Sequence, residues 1–185
     1  MSMLPYVFVI LAIAVRFLPF MGPFNFMPHA WHFTPLAASL LFFGARGSRR
    51  QLWVPLALLI ATDIILTRFF WKYPLTWDTL FIWAWYAAIL WLGTGLTGKS
   101  SMWRVVVAAA ASSLSFFVVS NFAVWASTSM YPKTLAGLVT CYELAVPFFR
   151  NTAVSDMLFS LAFFAVPALQ SSLAERGAGD HPAAV

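Results

Sequence analysis

"RVVVAAAASSLSFFVVSNFAVWA", Arg104 to Ala126, decides the fold class. A bilayer core of about 30 Å needs roughly 20 apolar residues per helix, and after Arg104 this run carries no charge at all. The rest of the chain has the same character: 62% of its 185 residues are hydrophobic and 9% charged. A soluble domain carries about 25% charged residues, so most of this surface must face something other than water. Nine Trp and nineteen Phe fit the aromatic belts of a lipid-embedded protein.

Working outward, five further segments read as membrane helices. They are Met3 to Phe20, Phe33 to Ala45 (short for a full span), Leu52 to Phe70, Trp77 to Leu96 and Ala153 to Gln170. The expected fold is an all-α integral membrane protein, a six-helix transmembrane bundle with a long outer loop before the last helix. Residues 1–170 form one transmembrane domain, and 171–185 form a disordered cytoplasmic tail. The N-terminal "MSMLPYVFVILAIAVRF" lacks the basic region of a signal peptide and reads as the first span.

The net charge of +5 is scattered or sits at helix ends, which argues against nucleic acid as a partner. Arg46, Arg49 and Arg50 cluster between the second and third segments, and Lys99 and Arg104 lie between the fourth and fifth. Cytoplasmic loops carry the excess of Lys and Arg, so both termini are expected inside, in the inner (plasma) membrane. Connections on the other face are longer, above all Ser127 to Thr152.

Polar groups concentrate towards that other face. Arg16 ends the first helix, Asp63 lies past the middle of the third, and Asp78 opens the fourth. Asn121 lies near the outer end of the fifth, and Asp156 falls in the first turn of the sixth. Each intramembrane charge costs about 2.5 to 3.5 kcal/mol on insertion scales, so such groups pair with each other or line a cavity. Convergence from five helices points to a shared outward-facing cavity. Simpler roles exist for each residue alone. Asp63 can pin helices by pairing with Arg16 or Arg68. Asp156 can be an N-terminal helix charge, and Asn121 can be interhelical glue.

No catalytic signature is present: no GxSxG, HExxH, P-loop or Rossmann glycine pattern. No enzyme activity and no cofactor is expected. The alternatives kept open are a haem- or metal-binding membrane subunit, resting on His29 and His32 three residues apart, and a structural subunit of a larger membrane complex. Cys141 is the single cysteine, with Glu143 rather than a base beside it, so a nucleophilic role is not expected.

"CYELAVPFFRNTAVSD", Cys141 to Asp156, puts a thiol, two acids, an arginine and a proline into a greasy chain. Pro147 cannot continue a helix without strain. The stretch therefore reads as a lid and hinge. A surface-lying helix (Thr134 to Val146) breaks near Pro147, Phe148 and Phe149 turn inward or into the interface, and Arg150 reaches Glu143 or Asp156 at the pocket mouth. Asn151 or Thr152 then caps the sixth span.

Five stretches carry a family resemblance: Asn25–Ala45, Val54–Leu66, Ser120–Pro132, Gly137–Thr152 and Ser155–Ser160. On these the chain resembles a family of small bacterial membrane proteins labelled as transport proteins. Its six-helix plan is in turn similar to the S-components of energy-coupling factor vitamin transporters. That similarity implies uptake of a vitamin-like small molecule held by outer loops and helix ends, with an ATPase coupling module as a further partner. The S-component pattern spaces first-helix alanines four apart, whereas Ala12 and Ala14 are two apart here. The residues expected to bind substrate are Arg16, Asn25, His32, Asp63, Asp78, Asn121, Tyr131, Cys141, Tyr142, Glu143, Arg150, Asn151 and Asp156.

Overall fold

The computed structural model describes residues 3–21, 34–96 and 100–179, with backbone alone for residue 168 and residues 171–179. Among these residues the chain is all-helical, with no strand. Its six α-helices are α1 (Leu4–Phe17), α2 (Leu36–Arg46), α3 (Trp53–Ile65), α4 (Thr79–Gly93), α5 (Met102–Ser127) and α6 (Leu135–Gly179). Asn25, His29 and His32 lie outside the described residues.

The short α2 is the centre of the bundle. Every residue from Ala37 to Gly44 is buried, and the helix touches α1, α4, α5 and α6. A helix that is apolar all round belongs inside, and its small residues let neighbours come close. The clearest case is the crossing with α4. A Cβ on Gly44 would strike the Leu90 carbonyl and come within 2.9 Å of the Gly93 Cα. A Cβ on Gly93 would in turn meet the backbone of Leu41. The two backbones touch where neither residue has a side chain.

Packing around α2 is aromatic. Phe8 of α1 stacks on Phe163 of α6 at 3.8 Å between ring centroids. Phe42 meets both Phe8 and Phe164 edge to face, at 4.9 and 5.2 Å. Such pairs add about 0.5 to 1.5 kcal/mol each beyond their burial.

Two stretches, Arg49–Phe70 and Met102–Ser127, are long and apolar enough to cross a membrane. Only 28% of the apolar window in each is buried against the rest of the chain. Large apolar side chains therefore face outward along the helices, among them Val7, Ile10, Leu58, Ile65, Val107, Leu114 and Val118.

The last third of the chain departs from expectation. No long loop precedes the last helix. The connection after α5 ends at Thr134, and α6 then runs unbroken from Leu135 to Gly179 with Pro147 inside it. The hinge, the cap at Asn151 or Thr152 and a separate surface helix are thus overturned. At 1.5 Å per residue, this 45-residue helix extends about 68 Å. Pro147 removes one helix hydrogen bond, but α5 clamps α6 on both sides of it. Before Pro147, the Tyr142 hydroxyl donates to the Val118 carbonyl at 2.8 Å. Beside it, Phe149 packs on Phe117 at 4.9 Å. Beyond it, the Ser113 hydroxyl donates to Asp156 at 2.6 Å. Tertiary packing here outweighs a local breaker. The helix also continues through residues 171–179, a stretch expected to be a disordered tail.

Candidate functional site

Two polar centres lie inside the bundle. The first is built on Asp63 of α3, which is 6% exposed. Arg16, in the last turn of α1, donates from Nη2 to its Oδ1 at 2.5 Å. Trp83 of α4 donates from Nε1 to Oδ2 at 3.0 Å. One helical turn along α4, the Tyr86 hydroxyl donates to Oδ1 at 3.4 Å. A single carboxylate thus ties α1, α3 and α4 together and neutralises the arginine. This is the only ion pair among the described residues.

The second centre is Asp156 of α6, which is 3% exposed. Its Oδ2 accepts from Ser113 of α5. The Ser113 hydroxyl has one proton and a second acceptor in reach, the Ala109 carbonyl at 3.1 Å. The shorter bond to the charged group is the stronger of the two. Next to it, Ser155 donates to the Thr34 carbonyl at 3.0 Å and pins α6 to the start of α2.

Between the two centres lies a cavity of about 280 Å³. Arg16 and Asp156 contribute its charged wall, and Thr34 and Thr152 its hydroxyls. Its aromatic lining comes from Phe20, Trp71, Trp85, Tyr86 and Phe116. Trp71 gets there through an unusual helix end. Residues Leu66–Phe70 widen into a π turn, the Trp71 N–H bonds the Leu66 carbonyl at 2.9 Å, and Lys72 adopts a left-handed φ of 58°. Widened turns of this kind recur at functional sites. The indole of Trp85 donates to Ser115 at 2.9 Å, and its ring packs on Phe116 at 4.9 Å.

Five of the expected residues were expected to converge: Arg16, Asp63, Asp78, Asn121 and Asp156. Arg16 and Asp156 line the cavity, and Asp63 supports it through Arg16. Asn121 lies elsewhere, in a smaller cleft of about 130 Å³ between α5 and α6. Its amide donates to the Phe117 carbonyl of its own helix at 2.7 Å. Phe116 and Thr152 line both spaces, so the two are neighbours.

The other expected residues stay outside the cavity. Cys141 is buried, with its thiol 3.5 Å from the Asn121 carbonyl, and with Tyr142 it fastens α6 to α5. Glu143, Arg150 and Asn151 are exposed on α6. Arg150 makes no ion pair with Glu143 or Asp156, which corrects the pairing expected at a pocket mouth. Asp78 precedes α4 and makes no side-chain cap bond. Tyr131 is half-buried in the short connection before α6. Among the described residues, no three His, Cys, Asp or Glu side chains group as metal ligands.

Several contributors were not foreseen: Trp83, Trp85, Tyr86 and Ser113. Trp83 and Tyr86 stand three apart, a spacing that puts both on one helix face. Ser113 belongs to a polar "SSLS" in the middle of an otherwise apolar run.

The site is therefore an aromatic and charged cavity within an all-helical protein, framed by α1, α2, α4, α5 and α6. The chain belongs to the family described as "Family of unknown function (DUF6580)", which matches residues 1–176. No curated protein and no solved structure matches it.

Proposed function

We propose that this chain is a six-helix integral membrane protein of the bacterial inner membrane that binds a small molecule in the Arg16–Asp156 cavity for its uptake. The observation that carries this reading is the inversion of polarity. Charged and hydroxyl groups line an internal space, while the outer surfaces of the helices are apolar. Intramembrane ionisable groups face cavities and mark substrate paths, and a concave, mostly apolar site with few polar groups is what a small ligand needs.

The ends of the bundle support an orientation. Gly44 meets Gly93, Arg104 donates to the Gly95 carbonyl at 3.2 Å, and Tyr6 donates to Gln51. These contacts gather Arg46, Arg49, Arg50 and Arg104 at one end, together with Trp53, Trp91 and Trp103, which are 66%, 75% and 70% exposed. Basic loops and surface tryptophans suit the cytoplasmic interface. Arg16 sits at the far end of α1 from Tyr6, so the cavity lies on the outward side. In this reading the protein is a substrate-binding component like those of energy-coupling factor transporters. Docking on an ATPase module through a stripe of first-helix alanines is not supported, because Ala12 is fully buried and Ala14 exposed.

Native mass spectrometry of the full chain purified in mild detergent tests the site. The expected result is a small-molecule adduct on the wild type that is missing from Thr152→Trp, which fills the cavity. An adduct retained equally by both would place binding elsewhere. For orientation, Lys133→Cys is expected to label from outside intact cells and Ser48→Cys is not.

A further inference from the structure

The balance of charge around the cavity says what kind of molecule it takes. Arg16 lines the wall with its Nη1 unpartnered, but its charge is paired through Nη2 with Asp63, which also accepts from Trp83 and Tyr86. That centre is neutral as a unit. Asp156 has no such counterpart. Its single donor is the hydroxyl of Ser113, and no cation stands within ion-pair distance of it among the described residues. One uncompensated acid thus faces a space walled by aromatic rings. Trp85 has already satisfied its indole N–H on Ser115, so what it has left to offer is the ring.

A carboxylate beside aromatic faces favours a cation twice over. The acid supplies the opposite charge, and the negative faces of the rings attract the same ligand. An anion would meet an unpaired carboxylate in a medium that screens poorly. A metal ion is a poor fit, since hard cations need several oxygen ligands and no acid or imidazole cluster accompanies Asp156 among the described residues. The volume of about 280 Å³ lies just below the usual range of ligand pockets, roughly 300–1,000 Å³, which suits a ligand of one or two rings.

We propose that the cavity selects a small organic cation, its positive charge meeting Asp156 and its flat body lying against Trp85 and Phe116. This rests on the small-molecule reading above and adds the class of substrate.

The test is equilibrium dialysis of the detergent-purified full chain against three radiolabelled molecules that share one ring: 1-methylnicotinamide (a fixed cation), nicotinamide (neutral) and nicotinate (an anion). The expected order is cation, neutral, anion, with the cation retained at least about tenfold better than nicotinamide, or about 1.4 kcal/mol. Asp156→Asn is expected to abolish that preference. Its amide oxygen can still accept from Ser113, and an unchanged melting temperature would confirm the fold. Thr152→Lys, one turn before Asp156, provides a second variant that leaves the acid in place. Its ammonium beside the acid is expected to abolish the preference for 1-methylnicotinamide over nicotinamide. Nicotinate binding as well as the cation, or a preference that survives in Asp156→Asn, would overturn the charge selection while the cavity remained a binding site. Retention of none of the three by a cooperatively melting chain would overturn both readings.

Discussion

Asp63 and Asp156 are both buried carboxylates on helices, and the bundle provides for them very differently. Asp63 receives a guanidinium, an indole N–H and a phenol from two other helices. Asp156 receives one serine hydroxyl and borders open space. A buried charge that is fully answered is a structural tie. One left largely unanswered is costly to keep, and in a cavity wall that cost points to binding. The contrast predicts that the first site governs stability and the second governs ligand.

The largest effect should come from Asp63→Ala. It strands the Arg16 guanidinium, 15% exposed, and removes the acceptor of Trp83 and Tyr86. Breaking a buried pair from one side costs about 3–5 kcal/mol, or roughly 10 °C in the melting temperature of a chain this size. Thermal unfolding of the detergent-solubilised chain measures it. The double variant Arg16→Met with Asp63→Leu should recover most of the loss, since an apolar pair of similar volume leaves no orphan charge. A cost below about 1 kcal/mol for Asp63→Ala alone would erase the contrast.

Ser113→Ala should come next. It deletes the hydroxyl that joins α5 to α6 and the one donor of Asp156. Hydrogen bonds to charged groups contribute about 1.5–3 kcal/mol. A value at the low end is expected, because the cavity lets solvent or ligand replace the serine. The same melting experiment reads it, and a loss as large as that of Asp63→Ala would mean that Asp156 is structural too.

The two acids were not equally readable from the sequence. For Asp63 the sequence offers Arg16 or Arg68 as a pairing partner beside a role in a cavity, because opposite charges in apolar helices tend to pair. Asp156 was harder, and the reason is Pro147. With a break expected there, Asp156 falls in the first turn of a helix, where the macrodipole accounts for a negative charge. The helix instead runs through from Leu135. Asp156 is then mid-helix, the dipole no longer explains it, and the acid needs another reason to be buried. Proline is a local signal, whereas the α5–α6 seam that overrides it involves residues such as Tyr142 and Val118, 24 positions apart. The helical class itself was legible, since apolar runs like that after Arg104 need no partner to be recognised. Trp83, Trp85 and Tyr86 were not, because aromatic residues in such a chain read equally well as interfacial belts.

The smallest effect is expected from Arg150→Ala and Glu143→Ala, and it sharpens the comparison from the other side. Both residues belong to the polar stretch Cys141 to Asp156, and both were expected at a pocket mouth. On α6 they are exposed, form no ion pair and line neither the cavity nor the neighbouring cleft. Surface substitutions away from special features stay within about 0.5 kcal/mol, so each variant should melt within about 2 °C of the wild type. Each should also hold the adduct seen by native mass spectrometry to the same extent. The nearest cavity-lining residue to Arg150 on its helix is Thr152, two positions on and hence on a different face. Proximity in sequence is not proximity to the site. If Arg150→Ala loses ligand while its melting temperature holds, then charge outside the cavity takes part in binding, and the division between an answered and an unanswered acid describes only part of the mechanism.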